Sequence, residues 1–501
     1  MDEHVDLLIV GAGTAGMPLA IEAADHAAGG TVVLLDKRPS IGGMLHISGG
    51  QFSGAGARRQ RERAIDDSPE AHAAEVDRIA HGRATPELVD LAVREAGPMI
   101  DWLDDLGFDF LPDTPTLVYG HEVYQTPRTY WGPDWGRSLL KVLVPEVERR
   151  VAAGAIDLRL STRLVDLEVD ENGVSGAILQ PLDPQGNPAS LPYRVATRRV
   201  VLATGGFGAA PDLINRFLPE SEQGGLAACL EHATGDGLRI AEAHGAGISG
   251  YRGYLPTVSL IPDPDRPGFA FDWPIARMMF QVQRRLPYEI WLNRSGQRFV
   301  AEDTASPELR ERAVLAQPDR WLAVIWDQRI LDRADPIIDS DAGDWTRERI
   351  AEEAKRGRFV FRADTLDELA GQLGIDPAAT RASVDRYNQA VATGRDNDFG
   401  RRALPLPIDQ PPYYGMTSMA GIILTREGLT VDTDLRVLDV EGRHIPGLYA
   451  VGEVLGAAQF MGDSFASGMS VGPCLSLGRR LGKTLGGSIA AEAVVTTGRT
   501  E

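Results

Sequence analysis

Two cysteines, Cys229 and Cys474, are the only thiols in the chain, and no C-x-x-C, C-x-x-C-H or zinc-spaced His cluster accompanies them. Such a chain is not stapled by disulfides, and by itself it ligates no iron–sulfur cluster, c-type haem or zinc. No metal site is expected, so electrons that enter or leave need another carrier. Positive charge is also scarce: 51 Lys+Arg against 71 Asp+Glu leave a net charge of −20. Its field repels phosphate backbones and anionic lipid surfaces alike, so nucleic acid is not an expected partner. The longest apolar stretch near the start, Leu7 to Ala24, is broken by Gly11, Gly13 and Gly16 and lacks a basic flank. It reads as neither signal peptide nor membrane span. No repeat of solenoid period is visible. These absences together describe a cytoplasmic protein with reduced thiols.

With 501 residues, 43% hydrophobic and 24% charged, the chain has the balance of a soluble enzyme of about two to four structural units. Val5 to Val10 is a β-rich apolar run that passes into Gly11-Ala12-Gly13-Thr14-Ala15-Gly16 and then a helical pattern to Ala24. That is strand, glycine turn, helix. At this spacing the first glycine makes the tight turn, the second lets a pyrophosphate approach the backbone, and the third lets helix and strand pack. A second strand, Thr31 to Leu35, ends at Asp36, about 20 residues on, where an acid can accept ribose hydroxyl hydrogen bonds.

A second glycine-rich loop, Lys37 to Gly50, follows where a nicotinamide domain would continue into an ordinary crossover, and it suits a longer, flavin-bearing dinucleotide. Val200 to Gly208 is another apolar strand ending in glycines, and Gly447 to Glu453 repeats the idea before a helix expected at Ser467 to Leu485. Ala155 to Val200 alternates apolar and polar residues around turns at Glu171-Asn172-Gly173 and Asp183 to Asn187, which predicts a β-meander inserted in the nucleotide domain. Residues from about 250 to 410 differ in texture: Pro256, Pro262, Pro264, Pro267 and Pro274, several aromatics, and helices predicted at 307–317, 346–356 and 377–393. The tail from Ala490 to Glu501 reads as frayed.

In order and content these segments, through Arg298-Phe299 and Pro411-Pro412-Tyr413-Tyr414 to Gly447-Leu448-Tyr449-Ala450-Val451-Gly452-Glu453, resemble the FAD-dependent family of fumarate reductases, succinate dehydrogenase flavoproteins and ketosteroid dehydrogenases. The resemblance covers nearly the whole chain. It implies an α/β fold, with a Rossmann-like FAD-binding domain at 1–250 and 411–501 and an α+β cap over the flavin at 251–410. It also assigns contacts. Gly11, Gly13, Ala15 and Gly16 hold the pyrophosphate, Asp36 the adenosine ribose with Lys37 beside it, and the backbone of Leu164 or Val165 the adenine edge. Further FAD contacts fall to Gly42, Gly43, Met44, Ser48, Gly49 and Gly50, to Ala203, Thr204, Gly205 and Gly206, and to Asp236, Gly452 and Glu453. Ser467, Gly468, Met469, Ser470 and Val471 face the flavin N1/O2 edge from a helix N-terminus, where negative charge develops on reduction. Some succinate dehydrogenase flavoproteins bond FAD through a His in this region. Counted back from Gly49-Gly50, that position falls on Gly43 rather than His46, so noncovalent FAD is expected.

Departures from the family pattern narrow the chemistry. Where fumarate reductases carry His-Thr-Met-Gly-Gly, this chain reads Leu424-Thr425-Arg426-Glu427-Gly428, and Ser306 stands where the cap Arg belongs. Gly462 to Pro473 is closer to the ketosteroid dehydrogenase pattern, in which a Tyr hydroxyl and a Gly N–H polarise a ketone. Gly468 keeps that backbone donor, but Phe465 replaces the Tyr, and Ser306 also occupies the usual place of the proton-abstracting Tyr. Substitute groups are sought in Tyr119 to Trp131, which resembles the family's segment beside the flavin. Tyr124 or Tyr130, made acidic by a neighbouring cation, is a candidate base, and Arg128 either supplies that cation or holds a carboxylate. The alternative is that Arg128 forms a salt bridge or contacts FAD while the tyrosines pack the interface. Tyr251, Tyr254 and Tyr288 are second-choice bases, His232 reads as a helix-entry residue, and Arg426 as either an anion anchor or a turn residue.

The expected activity is a desaturase that introduces a C=C bond next to the carbonyl of a small cyclic ketone, with or without a carboxylate, or of a ketosteroid-like substrate. Its electrons go to oxygen, a quinone or another carrier. Alternatives are an ene-reductase of fumarate-reductase type and a non-catalytic electron-transfer subunit.

Overall fold

The computed structural model describes residues 3–218, 225–250, 255, 257–334 and 336–497, without the side chains of 495–497; Tyr251, Tyr254, Pro256 and Glu501 lie outside the described residues. Its central sheet has six strands in the order Arg436–Leu438, His444–Ala450, Val200–Leu202, Leu7–Val10, Val32–Leu35 and Asp157–Arg159. All neighbours are parallel except the outer pair Arg436–Leu438 and His444–Ala450. Leu7–Val10, Val32–Leu35 and Val200–Leu202 are buried along their whole length, which is why they read as unbroken apolar runs. Val10 stands level with Leu35 and Leu202, and Leu202 with Ala450. Gly11, Asp36, Ala203 and Val451 therefore leave the sheet along one edge. The chain winds outward from Leu7–Val10 in both directions, so that edge is the crevice where open α/β sheets take ligands.

The helix Gly16–His26 packs against the 27-residue helix Val471–Thr497 at close range. A methyl group at Gly478, Gly482 or Gly486 would stand 2.5, 2.3 or 2.6 Å from the carbonyl oxygens of Ala15, Leu19 or Ala23. The helix runs on to Thr497, past the expected fraying at Ala490. The meander forms as read, from antiparallel strands Thr162–Asp170, Gly173–Pro181 and Tyr193–Ala196, with Glu3–His4 added in parallel at the edge.

A second core fills the cap around the antiparallel strands Ile290–Leu292, Trp321–Asp327, Tyr413–Met419 and Val360–Ala363. Tyr413–Met419 pairs with all of Trp321–Asp327, so the expected limit at residue 410 is corrected: the cap sheet reaches Met419. Helices Pro307–Leu315, Arg347–Arg356 and Pro377–Thr393 start at Ser306, Thr346 and Asp376, whose side chains each accept a backbone N–H of the first turn. The family's Arg-Phe-x-x-Glu segment is structural here. Arg298 bonds Glu302 at 2.7 Å and Asp396 at 3.0 Å, and Arg401 joins Glu302 at 3.2 Å, all of them buried. None of the described helices is long and apolar enough to cross a membrane.

Candidate active site

A cavity of about 620 Å³ runs from the crevice at the sheet edge to the underside of the cap. Its first part is walled by main chain. Gly11 holds φ +111° with its α-carbon turned to Ala203, where a methyl would lie 2.3 Å from the carbonyl oxygen. Gly13 differs: the nearest atom to an added methyl is the Gly43 Cα at 3.8 Å, so this position fronts open cavity. Ala15, Gly43, Met44, Ser48, Gly49 and Gly50 line the same stretch, whereas Gly16 and Gly42 shape the turns behind it.

Asp36 accepts the N–H groups of Ala12 and Arg38, each at 2.8 Å, and still faces the cavity. Burial raises its pKa against those two bonds. Lys37 donates to Thr234 at 2.6 Å and to Asp236 at 2.8 Å, so these two expected contacts reach the cavity already paired. Burial works to raise the pKa of Asp236, but Lys37, Thr234 and Arg163 together prevail and the net direction is down. Thr162, Arg163 and Leu164 line the cavity with His232 where the adenine edge is expected. Val165, the other residue expected there through its backbone, sits at a register irregularity between Leu164 and Asp166 and its side chain is 40% exposed.

Ala203, Thr204, Gly205, Gly206 and Gly452 complete this wall with Glu453. The Glu453 carboxylate accepts the Thr425 N–H at 3.0 Å and has no cationic partner among the described residues; burial pushes its pKa up. The buried Thr204 hydroxyl also lacks a partner. Gly468, Ser470 and Val471 open the long helix onto the cavity, while Ser467 and Met469 sit behind them. The Ser467 carbonyl accepts Ser53 Oγ at 2.5 Å. Cys474, one turn into the helix, is on the wall, with its thiol pushed up to about 12 by burial and by Glu453. A glycine-fronted cradle, an acid with free lone pairs, an uncompensated carboxylate and a helix N-terminus fit the parts of FAD in sequence. His46 bonds the Ile41 carbonyl oxygen at 3.0 Å away from the cavity, and Gly43, which fronts it, has no side chain to link.

The cap end has aromatic walls: Trp131 and Trp135 from one stretch, Phe271, Trp273 and Phe280 from another, and Phe465 from a third. Its cations are neutralised. Arg277 donates twice to Asp339, at 2.8 and 3.1 Å, and once to Asp341 at 2.8 Å, while Arg284 reaches Asp339 at 3.0 Å. His121 lines the wall, stacked on Phe465 with centroids 3.8 Å apart, and its Nδ1 lies 3.1 Å from Glu311 of the cap. The expectation singled out the Tyr119 to Trp131 segment for its tyrosines; no spacing rule joins His121 to a carboxylate 190 residues away.

The expected catalytic trio is corrected, since Tyr124, Tyr130 and Arg128 do not line the cavity. Arg128 is fully buried, bonded to Asp67 at 2.8 and 3.0 Å and to Glu75 at 2.5 Å. Tyr124 packs on buried His72 under that guanidinium, and Tyr130 packs among Phe52 and Phe110. Burial raises both phenols and outweighs the lowering by Arg128 at Tyr124 and by Arg59 at Tyr130, the reverse of an acidified base. Tyr288 packs against the cap core, and Arg426 donates to the Gly462 carbonyl away from the cavity. Ser306 starts the cap helix and hydrogen-bonds Glu122 at 3.0 Å.

Residues 6–467 match the family described as FAD binding domain. The chain is 27% identical to a probable fumarate reductase, Ifc3, of Shewanella frigidimarina, over 96% of this chain and 74% of that protein. It is 28% identical to the 4-oxocyclohexanecarboxylate 2-dehydrogenase of Sinomonas cyclohexanicum, over 97% and 93%. Its fold is also that of the 3-ketosteroid delta1-dehydrogenase of Sterolibacterium denitrificans, at a TM-score of 0.79 and 22% identity, covering 97% of this chain and all of that one.

Proposed function

The chain belongs to the FAD binding domain family and is an FAD-dependent oxidoreductase acting on CH–CH groups; on that premise we propose that it desaturates small uncharged cyclic ketones next to the carbonyl. FAD held noncovalently supplies an acceptor for the hydride that leaves the β-carbon. Gly11, Gly13 and Ala15 make room for the pyrophosphate, Asp36 accepts from the ribose, and Glu453 accepts from hydroxyls along the ribityl side. The N-terminus of Val471–Thr497 faces the ring edge that gains negative charge. Gly468 offers a backbone N–H to the substrate oxygen, and one such donor is worth about 2.7 to 4 kcal/mol in comparable oxyanion sites.

One observation carries the choice of substrate: the cap-end walls are aromatic, and Arg277 and Arg284 are already paired with Asp339 and Asp341. A dicarboxylate would have to displace those pairs, whereas an apolar ring fills the space as it stands. Anaerobic mixing with cyclohexanone is expected to bleach the visible flavin band, and 4-oxocyclohexanecarboxylate, the keto acid named for the Sinomonas relative, is expected to bleach it more slowly. Silence towards every ketone, with rapid oxidation of the reduced enzyme by cyclic enones, reverses the direction to ene-reduction. Turnover with a free quinone or dioxygen, without a protein partner, supports a self-sufficient enzyme.

A further inference from the structure

The titratable side chains at the cap end of the cavity are Asp113, Tyr119, His121, Arg277 and Arg284. The two arginines are paired, and Asp113 is exposed at the rim. His121 is fixed on two sides. Its ring lies on Phe465, three residues before Gly468, at an interplanar angle of 23°, and its Nδ1 meets Glu311. Glu311 is 2% exposed on the helix Pro307–Leu315 and has no other ion-pair partner among the described residues. A carboxylate at Nδ1 keeps the proton on that nitrogen and leaves Nε2 as the basic one, the arrangement in which a buried acid orients an imidazole and stabilises its charged form.

We propose that His121, oriented by Glu311, exchanges the α-proton of the substrate in place of the phenols this chain lacks at the usual positions. The proposal rests on the desaturase reading above. As the α C–H bond breaks, Nε2 takes the proton. The β-hydrogen leaves with its electron pair to oxidised FAD, and the pair freed at the α-carbon becomes the new C=C bond. The imidazolium then releases its proton to water, and a quinone or dioxygen removes the two electrons from the cofactor. His121 is catalytic in this scheme, and Glu311 is a positioning residue. Because Glu311 stands on the cap helix while His121 stands on the segment beneath it, the base is aimed only when the two parts are docked.

The test separates proton transfer from hydride transfer. Enzyme whose FAD is kept reduced with dithionite cannot oxidise a ketone, so loss of deuterium from α-deuterated cyclohexanone, followed by NMR, reports the proton step alone. His121→Asn retains a donor towards Glu311; it is expected to slow both this exchange and flavin reduction about a hundredfold or more, with FAD affinity and melting temperature unchanged. His121→Ala is expected to regain exchange when imidazole is added, which a tether between cap and base could not explain. Glu311→Gln is expected to lower kcat with KM and FAD affinity unchanged. Exchange in His121→Asn at more than about a tenth of the wild-type rate overturns the assignment, as does its transfer to Tyr119, seen as loss in Tyr119→Phe with retention in His121→Asn. Wild-type enzyme silent in both assays overturns the ketone reading itself, a result distinct from an active wild type with an equally active His121→Asn.

Discussion

The two ends of the cavity are made of different material. The cofactor end is main chain, glycine and alanine, with Asp36 and Glu453 as its few functional side chains; the cap end is side chain, large aromatics with His121 among paired ions. Backbone can approach a pyrophosphate only where side chains are missing at set intervals, so the first end leaves a short-range mark in the sequence. The second is assembled from stretches that meet only after folding.

Breaking the contrast most severely means removing a charge that belongs to neither end. Arg128→Met leaves Asp67 and Glu75 buried without their cation and is expected to destabilise the protein by about 3 to 5 kcal/mol, read by denaturant melts. Unaltered stability with lost turnover would return Arg128 to the chemistry. At the cofactor end, Gly13→Ala puts a methyl into space the fold leaves open. FAD affinity is expected to fall about a hundredfold, near 2.7 kcal/mol, while the apoprotein melts within about 0.5 kcal/mol of the parent; fluorescence titration checks it. At the cap end, Trp273→Ala is expected to raise the ketone KM about tenfold and leave FAD binding alone. If Trp273→Ala lost FAD as well, the two ends would not be separable.

The smallest effect lies at the seam. Asp463 holds His81 at 3.0 Å and Arg83 at 2.5 Å on one side and Arg312 of the cap helix at 3.6 Å on the other, with Glu308 close to His81 at 3.5 Å. Burial works to raise its pKa, but His81, Arg312 and Arg83 prevail and leave it below the ordinary 3.8. A lowered carboxylate stabilises the folded state fully above the unfolded pKa, and that contribution is lost as pH falls through the folded value. Melting temperatures of the parent and Asp463→Asn should differ slightly at neutral pH and converge as pH falls through the lowered folded-state value of Asp463.

Legibility followed the same division. The glycine turn, Asp36, the meander and the cap helices were open to reading because each is encoded within one continuous stretch of sequence. Tyr124, Tyr130 and Arg128 drew attention as polar groups in a family-like segment, yet whether a phenol faces a cavity or a core depends on what packs against it. Asp67, Glu75 and His72 decide that from more than fifty positions upstream. The partnership of His121 with Glu311, and the neutralisation of Arg277, were hidden for the same reason. The limit at residue 410 failed because a strand's sheet is chosen by its partner Trp321–Asp327, not by composition.

Cys474 stands on the wall beside Glu453, and burial holds both it and Cys229 as thiols up to about 12. Oxidation to sulfenic acid runs through the thiolate. A peroxide that entered this chamber would meet the Cys474 sulfur in its protonated, least reactive form.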